Sequence, residues 1–387
     1  MASRAAVTDQ DQAVIADQNA FDALMKRARR ARRVALDTEA ASFHRYFDRI
    51  YLIQVSTESE TAVVDPLEVS NPSLLGELLA DSKVEIVFHD SDYDLRVLHR
   101  DYKFEACRLF DTRVAAQLLG EPGVGLGSLL EKYFNVRLNK RMQRADWSRR
   151  PLTDEMIRYA ADDTRYLLDL RDTLAAKLTK AGRLHWAQEE FERLQHVTWT
   201  PQNHEGNAFL KVKGARALKP KAMAVLRSLH EWREKEAAKA DRAPFRILGN
   251  DALITLATNA PTRLAALEKT KGVPDSARRR HAEEMLTAIE SALQLSPDQY
   301  PKPERPKRAK PDPAADARLE KLKALRNRRA KSLGLEPGVI CPNGTLQAIA
   351  RAAPRGTEQL LAIKDLRMWQ VEALGEAEIL KSVGGGI

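Results

Sequence analysis

The chain has 387 residues, of which 43% are hydrophobic and 30% charged, enough for two or three compact domains with real cores. Its two cysteines, Cys107 and Cys341, are too few and too far apart for a disulfide framework or a CxxC zinc site, so a reducing compartment is expected. The net charge of +9 is uneven: Lys and Arg number 29 against 32 Asp and Glu in residues 1–200, but 34 against 22 in residues 201–387. An acidic front half joined to a basic back half suits carboxylate chemistry coupled to polyanion binding. No stretch approaches the roughly 20 apolar residues of a membrane helix. The start, MASRAAVTDQDQ, has no apolar signal core, so a cytoplasmic protein without a membrane partner is expected.

In chain order, RRVALDTEA, IYLIQVST and TAVVDPL read as neighbouring strands joined by short turns. LLGELLADS is helical, VEIVFHD a buried strand, DYDLRVLHRDY a helix, CRLFDT a short strand and RVAAQLLG a helix. Beyond Gly127 the patterns are helical through roughly Gln195, and no strand is expected after about residue 200. The stretches 244–273 and 338–366 resemble each other: a short apolar run, a turn with Asn and Gly, a helix, a Pro, then another helix. That is a small helical domain present twice. Between the copies, SPDQYPKPERPKRAKPDPAAD is dense in proline and charge and reads as an extended linker.

Three acidic features stand out. Asp37-Thr38-Glu39 ends an apolar strand, and strand alternation projects Asp37 and Glu39 from one face. Carboxylates that close favour a divalent cation between them, and hard oxygen ligands suit Mg²⁺ or Mn²⁺. Asp94 falls near the start of the helix after VEIVFHD, with Asp90 and Asp92 as competitors. In RPLTDEMIRYAADDTRYLLDL, Thr153 can cap a helix on which Tyr159 and Asp163 stand at i and i+4 and share a face.

A strand-borne acid pair, a helix-start acid and a helical Tyr-x-x-x-Asp, in that order, resemble the DEDDy two-metal nucleases, and ribonuclease D in particular. LIQV (52–55), VDPL (64–67), FH (88–89), FDT (110–112) and DWSRRPL (146–152) match that family's pattern in order and spacing. The basic half resembles two copies of the helicase-and-RNase-D C-terminal (HRDC) domain. The resemblance implies an α/β ribonuclease H-like exonuclease domain over residues 1–200, with a mixed sheet flanked by helices. Two all-α HRDC-like domains would follow at 205–297 and 316–387, separated by the linker 298–315.

It also implies a 3′→5′ exoribonuclease that uses two divalent cations, Mg²⁺ or Mn²⁺, to release nucleoside 5′-monophosphates from RNA such as tRNA precursors. Asp37 would bridge both ions, Glu39 and Asp163 would complete one site, and Asp94 would hold the second. Tyr159 would orient the attacking water. Phe43, Gln54, His89, Tyr93, Trp147, Arg149 and Arg150 are the expected nucleic-acid contacts, with Trp147 equally suited to anchoring the core. After the DTE motif the family has an aromatic and Thr-Tyr-Tyr-Pro, whereas this chain has AASFHRYFDRIYLIQ. A monomer is expected. The rival functions are a 3′→5′ DNA exonuclease and a non-catalytic RNA-binding protein on the same fold.

Overall fold

A computed structural model of the chain describes residues 13–200, 207–302 and 311–384. Strands β1 (Ala13–Ile15), β2 (Arg33–Ala40), β3 (Ile50–Ser56), β4 (Thr61–Val64), β5 (Glu85–Phe88) and β6 (Leu109–Asp111) form one sheet in the order β1-β4-β3-β2-β5-β6. Strand β2 runs parallel to β5, with Val34 opposite Ile86, and β5 runs parallel to β6. Strand β3 is antiparallel to β4, so the sheet is mixed. Strands β3, β4, β5 and β6 are buried along their whole lengths because helices cover both faces. The parallel β2, β5 and β6 end at the same edge, the usual place for a site in such a sheet. The strands expected from the sequence are all present; β1, three residues in a polar stretch, was not among them.

The accompanying helices are α1 (Gln18–Ala28), α2 (Ser73–Leu79), α3 (Asp92–Tyr102), α4 (Thr112–Leu119), α5 (Leu126–Phe134), α6 (Asp154–Arg165), α7 (Leu167–Lys180) and α8 (Leu184–Gln195). Thr153 caps α6 as its sequence implies, its side chain accepting from the Met156 N–H at 3.3 Å. Helix α6 packs on β3 and β4, where the Ser56 and Thr164 hydroxyls meet at 2.8 Å.

The two helical copies correspond through their first four helices, after which the first has one long helix kinked at His281 and the second has two. The first comprises α9 (Pro220–Lys239), α10 (Pro244–Ile247), α11 (Asn250–Asn259), α12 (Leu264–Glu268) and α13 (Asp275–Leu293). The second comprises α14 (Pro313–Leu333), α15 (Pro337–Ile340), α16 (Asn343–Ala352), α17 (Thr357–Leu361), α18 (Met368–Leu374) and α19 (Glu376–Val383). A shared hydrogen-bond device fixes both. Arg233 donates to the Leu248 carbonyl at 3.2 Å and Asn250 Oδ1 at 2.8 Å; Arg326 donates to the Cys341 carbonyl at 3.0 Å and Asn343 Oδ1 at 2.8 Å.

The described residues fold as two compact units. One holds those of Met1–Glu39, Ile50–Trp199 and Ala309–Ile387; the other holds Ala40–Arg49 and those of Thr200–Arg308. The second helical copy therefore shares a core with the sheet instead of hanging from the linker. Trp186 of α8 stacks on Trp369 with ring centroids 5.4 Å apart, and the Trp369 indole N–H donates to Glu190 at 2.8 Å. Glu189 accepts from the Met368 and Trp369 backbone N–H groups at 2.7 and 2.9 Å. The first copy has its own core of Phe209, Leu226, Leu229, Leu253, Met285 and Ile289. Of the expected linker, residues 303–310 lie outside the described residues. Among the described residues no helix is long and apolar enough to cross a membrane.

Candidate active site

At the carboxyl ends of β2 and β5 lies a cavity of about 430 Å³, lined by Asp37, Glu39, Asp94, Tyr159 and Asp163 together with Thr38, His89 and Tyr93. The sequence-predicted acids thus meet in one place. Asp37, Glu39 and Asp163 each present a carboxylate oxygen within 4.8 Å of the others. Three hard oxygen ligands at that spacing could coordinate a divalent metal ion. Asp94 stands just outside this trio, for a reason the structure makes plain. Its Oδ1 accepts from the Thr38 backbone N–H at 3.0 Å and from the Thr38 hydroxyl at 2.6 Å. The residue between the two strand acids therefore aims Asp94 at them, a role invisible in the DTE motif.

The electrostatics of the acids suit a cation between them. Burial, followed by the neighbouring acids, raises Asp37 and Glu39 well above the usual carboxylate range. Burial raises Asp94 to about 7 despite the opposing Thr38 hydrogen bonds. Asp163 is likewise raised to about 7, by burial and then by Asp162. Among the described residues none of the four is ion-paired to a Lys or Arg, so their mutual repulsion is left for a bound cation to relieve.

Tyr159 lies one helical turn before Asp163 and hydrogen-bonds to it. Burial, then Asp163, Glu39 and Asp37, hold its hydroxyl far above the ordinary phenol value. It therefore stays protonated at neutral pH. Its ring packs on Trp147, with centroids 5.9 Å apart.

Asp111, in the FDT motif at the start of α4, is a further residue that shapes the site. It is buried, and its carboxylate accepts from the backbone N–H groups of Asp90, Ser91, Arg113 and Val114 and from the Ser91 hydroxyl. That holds the turn from which α3 carries Asp94 into the cavity. The signal was available in FDT, since an Asp before an apolar helix is a cap.

Residues 12–179 match the family model of a 3′-5′ exonuclease, and residues 222–289 and 315–383 match the HRDC domain. Ribonuclease D of Xanthomonas oryzae pv. oryzae is 31% identical over 328 residues, spanning 83% of this chain and 87% of that one. The chain belongs to the ribonuclease D family. Ribonuclease D of Pseudomonas paraeruginosa is 30% identical over 349 residues, 89% of this chain and 90% of that one. The crystal structure of Escherichia coli RNase D, an exoribonuclease involved in structured RNA processing, shares the fold, with a TM-score of 0.67 at 24% identity over 95% of this chain and 98% of that one.

Within this ribonuclease D fold, three of the expected nucleic-acid contacts need correction. Gln54 is 0% exposed, because β3 is a central strand covered by α6, and its amide points into the interior. Trp147 is 1% exposed and serves as the floor under Tyr159, the core reading allowed for it. Arg150 turns inward. It donates to both oxygens of buried Asp65 and to the carbonyls of Tyr51 at 2.9 Å and Trp147 at 2.8 Å. The DWSRRPL and VDPL motifs of the family are thus the two halves of one ion pair, its carboxylate buried and its guanidinium partly exposed.

His89 and Tyr93 do line the cavity. The Thr112 hydroxyl donates its one proton to the Phe88 carbonyl at 3.1 Å, so it must accept from His89 Nδ1 at 2.8 Å. That leaves Nε2 as an acceptor, and burial lowers the imidazole to about 4, keeping it neutral. Arg149 is exposed and paired with Asp146. Phe43 belongs with the first helical copy.

Proposed function

We propose that this ribonuclease D family member is a 3′→5′ exoribonuclease that shortens structured RNA, such as tRNA precursors, by one nucleoside 5′-monophosphate at a time. The observation that carries the reading is the meeting of Asp37, Glu39 and Asp163, with Asp94 aimed at them by Thr38, in one cavity. Two divalent cations, Mg²⁺ or Mn²⁺, would be held there by Asp37, Glu39, Asp94 and Asp163. When bound, they supply charge neutralisation at the phosphate and make water a competent nucleophile at neutral pH.

The chain's own residues do the rest. Tyr159, protonated and bonded to Asp163, is placed to orient the attacking water and is a poor base. Water adds to phosphorus, the bond to the 3′ oxygen of the preceding nucleotide breaks, and that oxygen takes up a proton. Trp147 holds the tyrosine ring, and Thr38 and Asp111 hold Asp94. His89 offers a lone pair that matches a hydroxyl of the terminal sugar. Both cysteines are free thiols, in keeping with our reading of a cytoplasmic monomer.

Digestion of a 3′-labelled structured RNA in Mg²⁺, Mn²⁺ or EDTA reports direction, product and metal need together. Labelled 5′-monophosphate with either metal and none in EDTA is expected; internal fragments would overturn the reading. A matched DNA strand in parallel decides the sugar preference, and faster DNA cleavage would replace RNA as substrate.

A further inference from the structure

The unit that holds the first helical copy carries an exposed aromatic pair. Phe245 of α10 is 51% exposed and Phe43 is 50% exposed, their ring centroids 6.2 Å apart at 75°. Both belong to the same compact unit. The pair is held rigidly. Arg246 donates to the Phe43 carbonyl at 2.6 Å and contacts His44 Nδ1 at 3.0 Å, while its guanidinium lies 5.9 Å from the Phe245 ring centroid. Ala243 N–H donates to the His44 carbonyl at 3.1 Å. Asp241 accepts from the backbone N–H groups of Tyr46 and Phe47 at 3.2 and 3.1 Å.

The second copy provides an internal control. Its α15 reads Pro-Gly-Val-Ile where α10 reads Pro-Phe-Arg-Ile. Pro244 matches Pro337, and Ile247 and Ile340 are both buried. The same Arg-to-Asn device follows in each. The framework positions agree, and the two between them do not: Phe245 and Arg246 are both exposed, where the other copy has exposed Gly338 and a Val339 packed against its core. An exposed phenylalanine costs solubility and contributes little to packing, so its presence only in this copy needs another cause.

We propose that Phe245 and Phe43, with Arg246 beside them, form a stacking platform for the single-stranded 3′ segment of the RNA substrate. The proposal rests on the exonuclease reading for its substrate. Aromatic faces next to a guanidinium are the general means of holding a single strand without reading its sequence. The charge is complementary: in this unit's sequence Lys and Arg outnumber Asp and Glu by 23 to 14. Phe43 also follows the acid motif closely in sequence, four residues after Glu39.

The test is equilibrium binding of a fluorescent single-stranded oligouridylate to the full-length protein in EDTA, where hydrolysis plays no part. Phe245→Ala is expected to weaken binding about tenfold or more, in line with the loss of one stacked base. Phe245→Trp should retain affinity and Phe245→Leu should not, since a leucine preserves apolar contact without a stacking face. Gly338→Ala, where an added Cβ meets nothing within 4 Å, should bind as wild type does. Unchanged affinity in Phe245→Ala, or full affinity in Phe245→Leu, would overturn the platform and point to a protein partner for this face. Neither result touches the exonuclease reading, which is decided by hydrolysis.

Discussion

Replacing Arg150 by Met should damage the fold while leaving RNA binding intact. The Asp65 side chain is 5% exposed and that of Arg150 is 27% exposed, so the substitution strands a buried carboxylate. Breaking a fully buried pair costs about 3–5 kcal/mol. The guanidinium's partial exposure reduces this, and about 2–3 kcal/mol remains for the Met variant, with the Tyr51 and Trp147 carbonyls also losing a donor. For a unit of this size that corresponds to a fall in Tm of about 4–12 °C. The assay is a thermal melt beside RNA binding measured well below the transition. Asp65→Asn combined with Arg150→Met should recover part of the loss, because no charge is then left unpaired. An unshifted Tm together with tenfold weaker RNA binding would refute the structural role and restore Arg150 as a nucleic-acid contact.

Further outcomes follow from the site. Tyr159→Phe keeps the ring on Trp147 and removes the hydroxyl, so kcat should fall about 10²-fold with RNA affinity unchanged; a wild-type rate would remove the hydroxyl from the mechanism. Thr38→Val deletes a 2.6 Å donor to Asp94, which should push Asp94 further above about 7 and shift the acid limb of the Mn²⁺-supported rate to higher pH. An unmoved limb would show that Asp94 does not depend on Thr38.

In EDTA, Asp94 and Asp163, raised from 3.8 to about 7, bind more protons folded than unfolded between those values. Their contribution is present at acid pH and lost as pH rises through about 7, so metal-free protein should melt higher at pH 5.5 than at pH 8. Mn²⁺, by binding the deprotonated carboxylates, should raise the Tm at pH 8 and shrink the difference. A higher Tm at pH 8 in EDTA would contradict the raised carboxylates.

Much of this site was legible because the relevant residues stand in local register. Strand alternation pairs Asp37 with Glu39, and one helical turn pairs Tyr159 with Asp163. Asp94 could be chosen over Asp90 and Asp92 only by resemblance; its reason, the Thr38 hydrogen bonds, links residues 56 apart. Arg150 was misjudged on the same account, since its partner Asp65 lies 85 residues away. Gln54 and Trp147 sit in motifs and carry groups that nucleic acid could use, and nothing local reveals that they are buried. The loop 40–49 follows the exonuclease strand in sequence, yet its backbone partners are in the α9–α10 turn. Hydrophobic periodicity cannot report such a partnership, because it is made by polar atoms across domains of the sequence.

The central claim is that the carboxylate cluster performs the hydrolysis, and single-turnover release of nucleotide from 3′-labelled RNA by Asp37→Asn and Asp163→Asn tests it most directly. RNA binding by both variants should stay near wild type while release of labelled 5′-monophosphate falls by at least about 10²–10³-fold. Wild-type turnover in either variant would contradict the account.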